Sequence, residues 1–108
     1  IIPLNDKIIP LVKNRYDANK KYLINNKFGN HYTYGTYMNG NFNTCMGKLK
    51  MKHLPHDGRH TFASLMDSAG ANDVCIKLIM GHSMKNDTTK GTYTHKTLEE
   101  LLTEVNKI

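Results

Sequence analysis

Apolar residues recur along this chain mostly at helical spacing, and the pattern sharpens toward the C-terminus. Ile8, Ile9, Leu11, Val12 and Tyr16 form a stripe at intervals of three and four, which predicts a helix. Asn5 stands ahead of it as an N-cap, with Asp6 in the first turn, where a negative charge suits the helix dipole. Pro10 falls near the start of that helix, where a bend is expected. The apolar residues from Ile1 to Leu4 read as the tail of a strand. Tyr22, Leu23 and Ile24 read as a short strand ended by Asn25-Asn26 and later Gly29-Asn30. From about Tyr34 to Lys50 the pattern is mixed. Tyr37, Met38, Phe42, Cys45 and Met46 have helical spacing, but Gly35, Gly40 and Gly47 weaken a helix there.

The second half is plainer. Pro55 and the polar residues after it open a helix that runs to Ser68, with Phe62, Leu65, Met66 and Ala69 as its buried face and Gly70 as a left-handed stop. Asn72 caps a further helix, whose Val74, Cys75, Leu78 and Ile79 face inward and which Gly81 terminates. Thr97 and Glu100 have the spacing of a capping box, and the helix they start carries Leu98, Leu101, Leu102, Val105 and Ile108 on one side. The expected fold is mainly α with a small β element at the N-terminus, an α+β single domain.

The chain has 108 residues, enough for one modest core. It opens on Ile1-Ile2-Pro3-Leu4 without an initiator Met, so a piece of a longer protein is expected. It shows no secretory signal, and no apolar run approaches the ~18–20 residues of a membrane span. Fifteen Lys and Arg against nine Asp and Glu give +6, a field that favours a polyanion, most commonly nucleic acid. Cys45 and Cys75 lie among apolar neighbours and read as buried free thiols in a reducing compartment.

Four groups able to hold a phosphate, move a proton and attack phosphorus follow in order: His56, Arg59, His82 and Tyr93. His56 and Arg59 are three residues apart at a helix start, so they share a face at the positive end of a helix dipole. Arg59 can offer a planar fork to two non-bridging phosphate oxygens, where charge grows in a five-coordinate transition state. His56 can accept a proton or steady the phosphate near neutral pH. His82 stands just past Gly81, displayed rather than packed, and can donate to the same phosphate. Tyr93 lies in the polar Thr92-Tyr93-Thr94-His95, a setting for an exposed phenol; it needs cationic neighbours to shed its proton.

His56-Asp57-Gly58-Arg59-His60, Gly81-His82 and Tyr93-Thr94-His95 together resemble the C-terminal catalytic core of tyrosine recombinases, the phage-integrase family. The resemblance covers the whole chain, strongly from Leu54 onward. It implies catalytic roles for His56, Arg59 and His82, with Tyr93 as the nucleophile. It implies DNA breaking and rejoining through a 3′-phosphotyrosine, with no cofactor and no metal. Lys52, His60, Lys85 and Lys90 are the expected DNA contacts. The implied partners are double-stranded DNA and a homotetramer on it, with the C-terminal helix docking on a neighbour, in the cytoplasm of a bacterium or encoded by a phage. Gly58 stands where the family usually has Leu, and Lys85, Asn86 and Asp87 widen the loop before Tyr93. The family's first catalytic arginine and its hairpin lysine have no match here. The chain is therefore expected to be the distal part of a catalytic domain, inactive alone.

Three rivals accompany this reading. One is a non-catalytic DNA-binding module, using Lys48, Lys50, Lys52, Lys85 and Lys90 on phosphates. Another is a metal site from His53, His56 and His60, which no Cys pair or Glu completes. A type IB topoisomerase shares the chemistry without partner exchange.

Overall fold

The computed structural model of the chain describes residues 1–82 and 96–108. Its helices are α1 (Ile9–Arg15), α2 (Tyr34–Thr36), a π-helical segment (Tyr37–Phe42), α3 (Asn43–Leu49), α4 (Asp57–Ser68), α5 (Asp73–Ile79) and α6 (Leu98–Val105). Among the described residues there is no strand. This corrects the small β element expected at Ile1 to Leu4 and at Tyr22 to Ile24. A strand exists only by pairing its backbone with a neighbour, and neither segment has such a ladder. The residues divide into two compact units, Pro10–Gly58 and a two-segment unit of Ile1–Ile9 with Arg59–Ile108.

In the unit of residues 10–58, α1 runs unbroken through Pro10, its second residue. Proline's missing N–H costs nothing in a first turn. Thr33 opens α2 by a reciprocal cap with Thr36, with bonds of 3.2 and 3.1 Å. The chain then runs helically to Leu49, widened into the π-helical segment where Gly40 sits. Lys50 closes α3 with φ 54°, a left-handed residue. Its N–H donates to the Gly47 carbonyl at 3.2 Å, and the Met51 N–H donates to Met46 at 3.0 Å. That is a Schellman stop built on lysine, where glycine would avoid a strain of ~1–2 kcal/mol. Cys45 on α3 is exposed, not the buried thiol expected, because α3 buries none of its residues.

The core of the two-segment unit is Met66 of α4, Ile76 of α5 and Val105 of α6, with Phe62, Ala71, Ile79, Met80 and Ile108 packed against them. Each such buried side chain contributes roughly 1.5–3 kcal/mol. Cys75 and Leu101 are also buried, and burial pushes the Cys75 thiol's pKa upward. Some expectations of facing need correction. Leu65 remains 52% exposed and Ala69 is exposed as well, so the inward face of α4 narrows to Met66 with Phe62 beside it. Leu98 and Leu102 are exposed as well, which narrows the apolar stripe of α6 to Leu101, Val105 and Ile108.

The helix ends follow the sequence closely. Asn72 Oδ1 accepts from the Val74 and Cys75 N–H groups, at 3.0 and 3.3 Å. Thr97 and Glu100 close a full capping box, with bonds of 2.7 and 3.1 Å. Gly70 (φ +72°) and Gly81 (φ +71°) both occupy the left-handed stop position. A further carboxylate joins elements: Glu104 of α6 accepts the Asn72 N–H at 2.6 Å and pairs with Lys107 at 3.0 Å. Those bonds hold the Glu104 carboxyl below its usual pKa, the Asn72 N–H foremost.

Asn5 is buried, and its role differs from a simple N-cap. Its Oδ1 does accept from the Lys7 N–H at 2.7 Å, but α1 begins only at Ile9. Its amide Nδ2 donates to the carbonyls of Val105 at 2.7 Å and Ile108 at 3.2 Å. The Asp6 N–H adds a bond to Asn106 Oδ1 at 2.8 Å. The residues expected to form a strand thus lie against the end of α6. There Ile2, Leu4 and Ile8 wall an apolar groove of 740 Å³ with Phe62, Leu65 and Ile108.

Candidate active site

Arg59 lies in the first turn and a half of α4 and is half-buried. Its Nη2 donates to the Met80 carbonyl at 2.6 Å. That carbonyl caps the C-terminal end of α5, one of the acceptors that a helix leaves without an internal donor. The end of α5 also carries the negative pole of its dipole, so a cation is favoured there. A guanidinium has five N–H donors in one plane. A bond to one carbonyl therefore fixes that plane without consuming the fork.

His82 follows from the same helix end. Gly81 turns left-handed, its N–H donating to Leu78 at 3.1 Å, and the His82 N–H donates back to the Lys77 carbonyl at 2.9 Å. The backbone of His82 is thereby held, and its side chain is exposed. Met80, the acceptor for Arg59, is two residues before His82. The first and second sequence boxes are thus brought to one end of α5.

His56 stands immediately before α4 and is exposed. The helix start it precedes carries an acid of its own. The Asp57 carboxylate accepts from the Leu54 N–H at 2.9 Å and lies 3.3 Å from His53 Nδ1. The positive pole expected to favour a phosphate therefore already faces a negative group. His53, His56 and His60 do not gather as ligands: no cluster of three His, Cys, Asp or Glu suited to a metal occurs among the described residues. Lys52 and His60 are exposed. Tyr93, Lys85 and Lys90 lie outside the described residues.

Sequence reasoning did not find the Met80 carbonyl. A backbone acceptor carries no residue signature; only the Gly81 stop hinted that carbonyls would be displayed nearby. It also gave little weight to the distribution of charge. Residues 10–58 hold eight Lys and Arg against two acids, whereas residues 1–9 with 59–108 hold seven against seven. The whole net positive charge belongs to the contiguous unit.

Among the described residues no helix is long and apolar enough to cross a membrane. Comparison with curated proteins and with solved structures found no match. The family model described as the phage integrase family matches residues 1–100. Matched over that length, and with its arginine and histidine boxes meeting at the end of α5, the chain belongs to the phage integrase family, the tyrosine recombinases.

Proposed function

We propose that this chain is the distal part of a recombinase catalytic domain that cleaves and rejoins DNA at specific sites through a 3′-phosphotyrosine. Family membership supports site-specific recombination; the residue roles are our reading. The Tyr93 phenolate oxygen attacks the scissile phosphorus, a new O–P bond forms, and the bond to the 5′ oxygen breaks. That oxygen takes a proton and leaves as a 5′-hydroxyl. Arg59 and His82 donate to the non-bridging oxygens as charge accumulates on them. His56 takes or steadies a proton at the same phosphate. A 5′-hydroxyl from another strand then attacks the phosphotyrosine and restores Tyr93, so bond energy is conserved and neither metal nor nucleotide is consumed.

The observation that carries this reading is the bond from Arg59 to the Met80 carbonyl, which brings the arginine to the helix end that displays His82. The parent protein acts on double-stranded DNA as a tetramer, in the cytoplasm of a bacterium. The family's first arginine and its hairpin lysine have no match in these 108 residues, so cleavage by this chain alone is not part of the proposal. Lys52, His60, Lys85 and Lys90 contact backbone phosphates.

The test is incubation of the full-length protein with a nicked duplex bearing its element end, followed by a denaturing gel. A covalent adduct that vanishes in Tyr93→Phe is the expected result. A shifted duplex with no adduct would favour a binding module without catalysis.

A further inference from the structure

The unit of residues 10–58 combines three properties on one stretch of chain. It has no Asp or Glu between Asp17 and Asp57, while Lys20, Lys21 and Lys27 fall inside that interval. Three of its aromatic residues are displayed: Tyr16 is 67%, Tyr34 64% and Phe28 76% exposed. Cation and ring are interleaved in space as well as in sequence. The Lys27 ammonium lies 5.1 Å from the Phe28 ring centre, and that of Lys21 5.4 Å from Tyr22.

The same unit holds a cleft of 300 Å³ lined by Ile24, His31, Tyr32, Thr33, Tyr34 and Tyr37. Its walls are set by ring contacts. Tyr22 meets His31 edge-on at 5.3 Å, Tyr32 meets Tyr37 at 5.8 Å, and the Tyr32 hydroxyl accepts from Asn41 Nδ2 at 2.8 Å. Such a cleft lies at the small end of ligand sites. It offers flat apolar faces with no acid to repel a phosphate.

We propose that this surface binds unpaired bases of single-stranded DNA. Tyr34 and Phe28 provide stacking faces, and Lys20, Lys21 and Lys27 follow the strand's phosphates. Stacking on aromatic rings beside a cationic track is how sequence-tolerant single-strand sites are built, because every base has a π-face. A duplex keeps its bases stacked on each other and offers these rings nothing. A docked peptide would satisfy the rings but would need acidic residues to answer the uninterrupted positive charge. None of these residues is among those assigned to catalysis, so the proposal does not depend on Tyr93 chemistry.

The test uses the 108-residue chain with a labelled oligo(dT) and a mixed-sequence duplex of equal length. The chain has no Trp, so tyrosine fluorescence reports stacking directly. Oligo(dT) is expected to quench that fluorescence. Tyr34→Ala and Phe28→Ala are each expected to weaken oligo(dT) binding by at least about fivefold, leaving duplex binding within about twofold, with Tyr34→Phe restoring the single-strand affinity. Equal loss on both DNAs, or no loss on either, overturns the proposal. Failure to bind oligo(dT) while an acidic peptide binds would make the surface a protein-docking site instead. Phosphotyrosine formation in the parent, lost in Tyr93→Phe, is read separately and is unaffected by either outcome.

Discussion

Arg59 donates through Nη2 to the backbone carbonyl of Met80, 2.6 Å away, and so joins the start of α4 to the end of α5. Lysine can supply the charge at this place but not a planar fork that binds a carbonyl and a phosphate together. In the full-length protein, Arg59→Lys is expected to slow adduct formation by roughly 10²–10³-fold. The loss in thermal midpoint should stay under about 8 °C. Single-turnover cleavage and a melting scan on the same preparation check both halves.

Asn5 is expected to be a stability residue without a catalytic part. Asn5→Ala leaves the carbonyls of Val105 and Ile108 without their donor, at a cost of about 1–3 kcal/mol. Asn5→Asp should be at least as damaging, since it turns an oxygen toward those two carbonyls. Urea unfolding followed by circular dichroism separates the variants, and parity of Asn5→Asp with the wild type would refute the assigned donor.

Glu100 and Glu104 both have folded pKa values lowered, first by backbone N–H bonds, from Thr97 and Asn72 respectively. Each therefore holds its proton less readily folded than unfolded. Their contribution is complete above the ordinary Glu value of about 4.3 and is lost as pH falls through the lower folded values. Stability measured from pH 6 down to pH 2 should decline in that window. Glu104→Gln is expected to start lower and decline less steeply.

The two thiols should differ in reactivity. Cys45 is exposed on α3, whereas Cys75 is buried with a raised pKa. A thiol reagent at neutral pH is expected to modify Cys45 rapidly and Cys75 only after denaturation. Mass spectrometry of a timed reaction locates the label. Early modification of Cys75 would contradict its place in the core.

What could be read from the sequence was chemistry confined to a few neighbouring residues. Asn72, the Thr97–Glu100 box, Gly70 and Gly81 stand where expected because a cap involves only its own turn. Asn5 was misjudged for the opposite reason, since two of its partners lie about a hundred positions along the chain. The burial assigned to Cys45 failed because helical spacing marks a face without telling whether another element covers it. Of the candidate site, the sequence named Arg59 and His82 but not the end of α5 to which both are tied, because a backbone carbonyl has no residue signature.

The Asn5 bonds also constrain when the molecule can be completed. Residues 10–58 are continuous and can fold from local contacts, but the other unit closes only when the chain's first residues meet α6. Contacts of such long separation carry a loop-closure cost and slow folding. During synthesis the segment around Asn5 must wait, apolar and unpartnered, until Val105 and Ile108 have emerged.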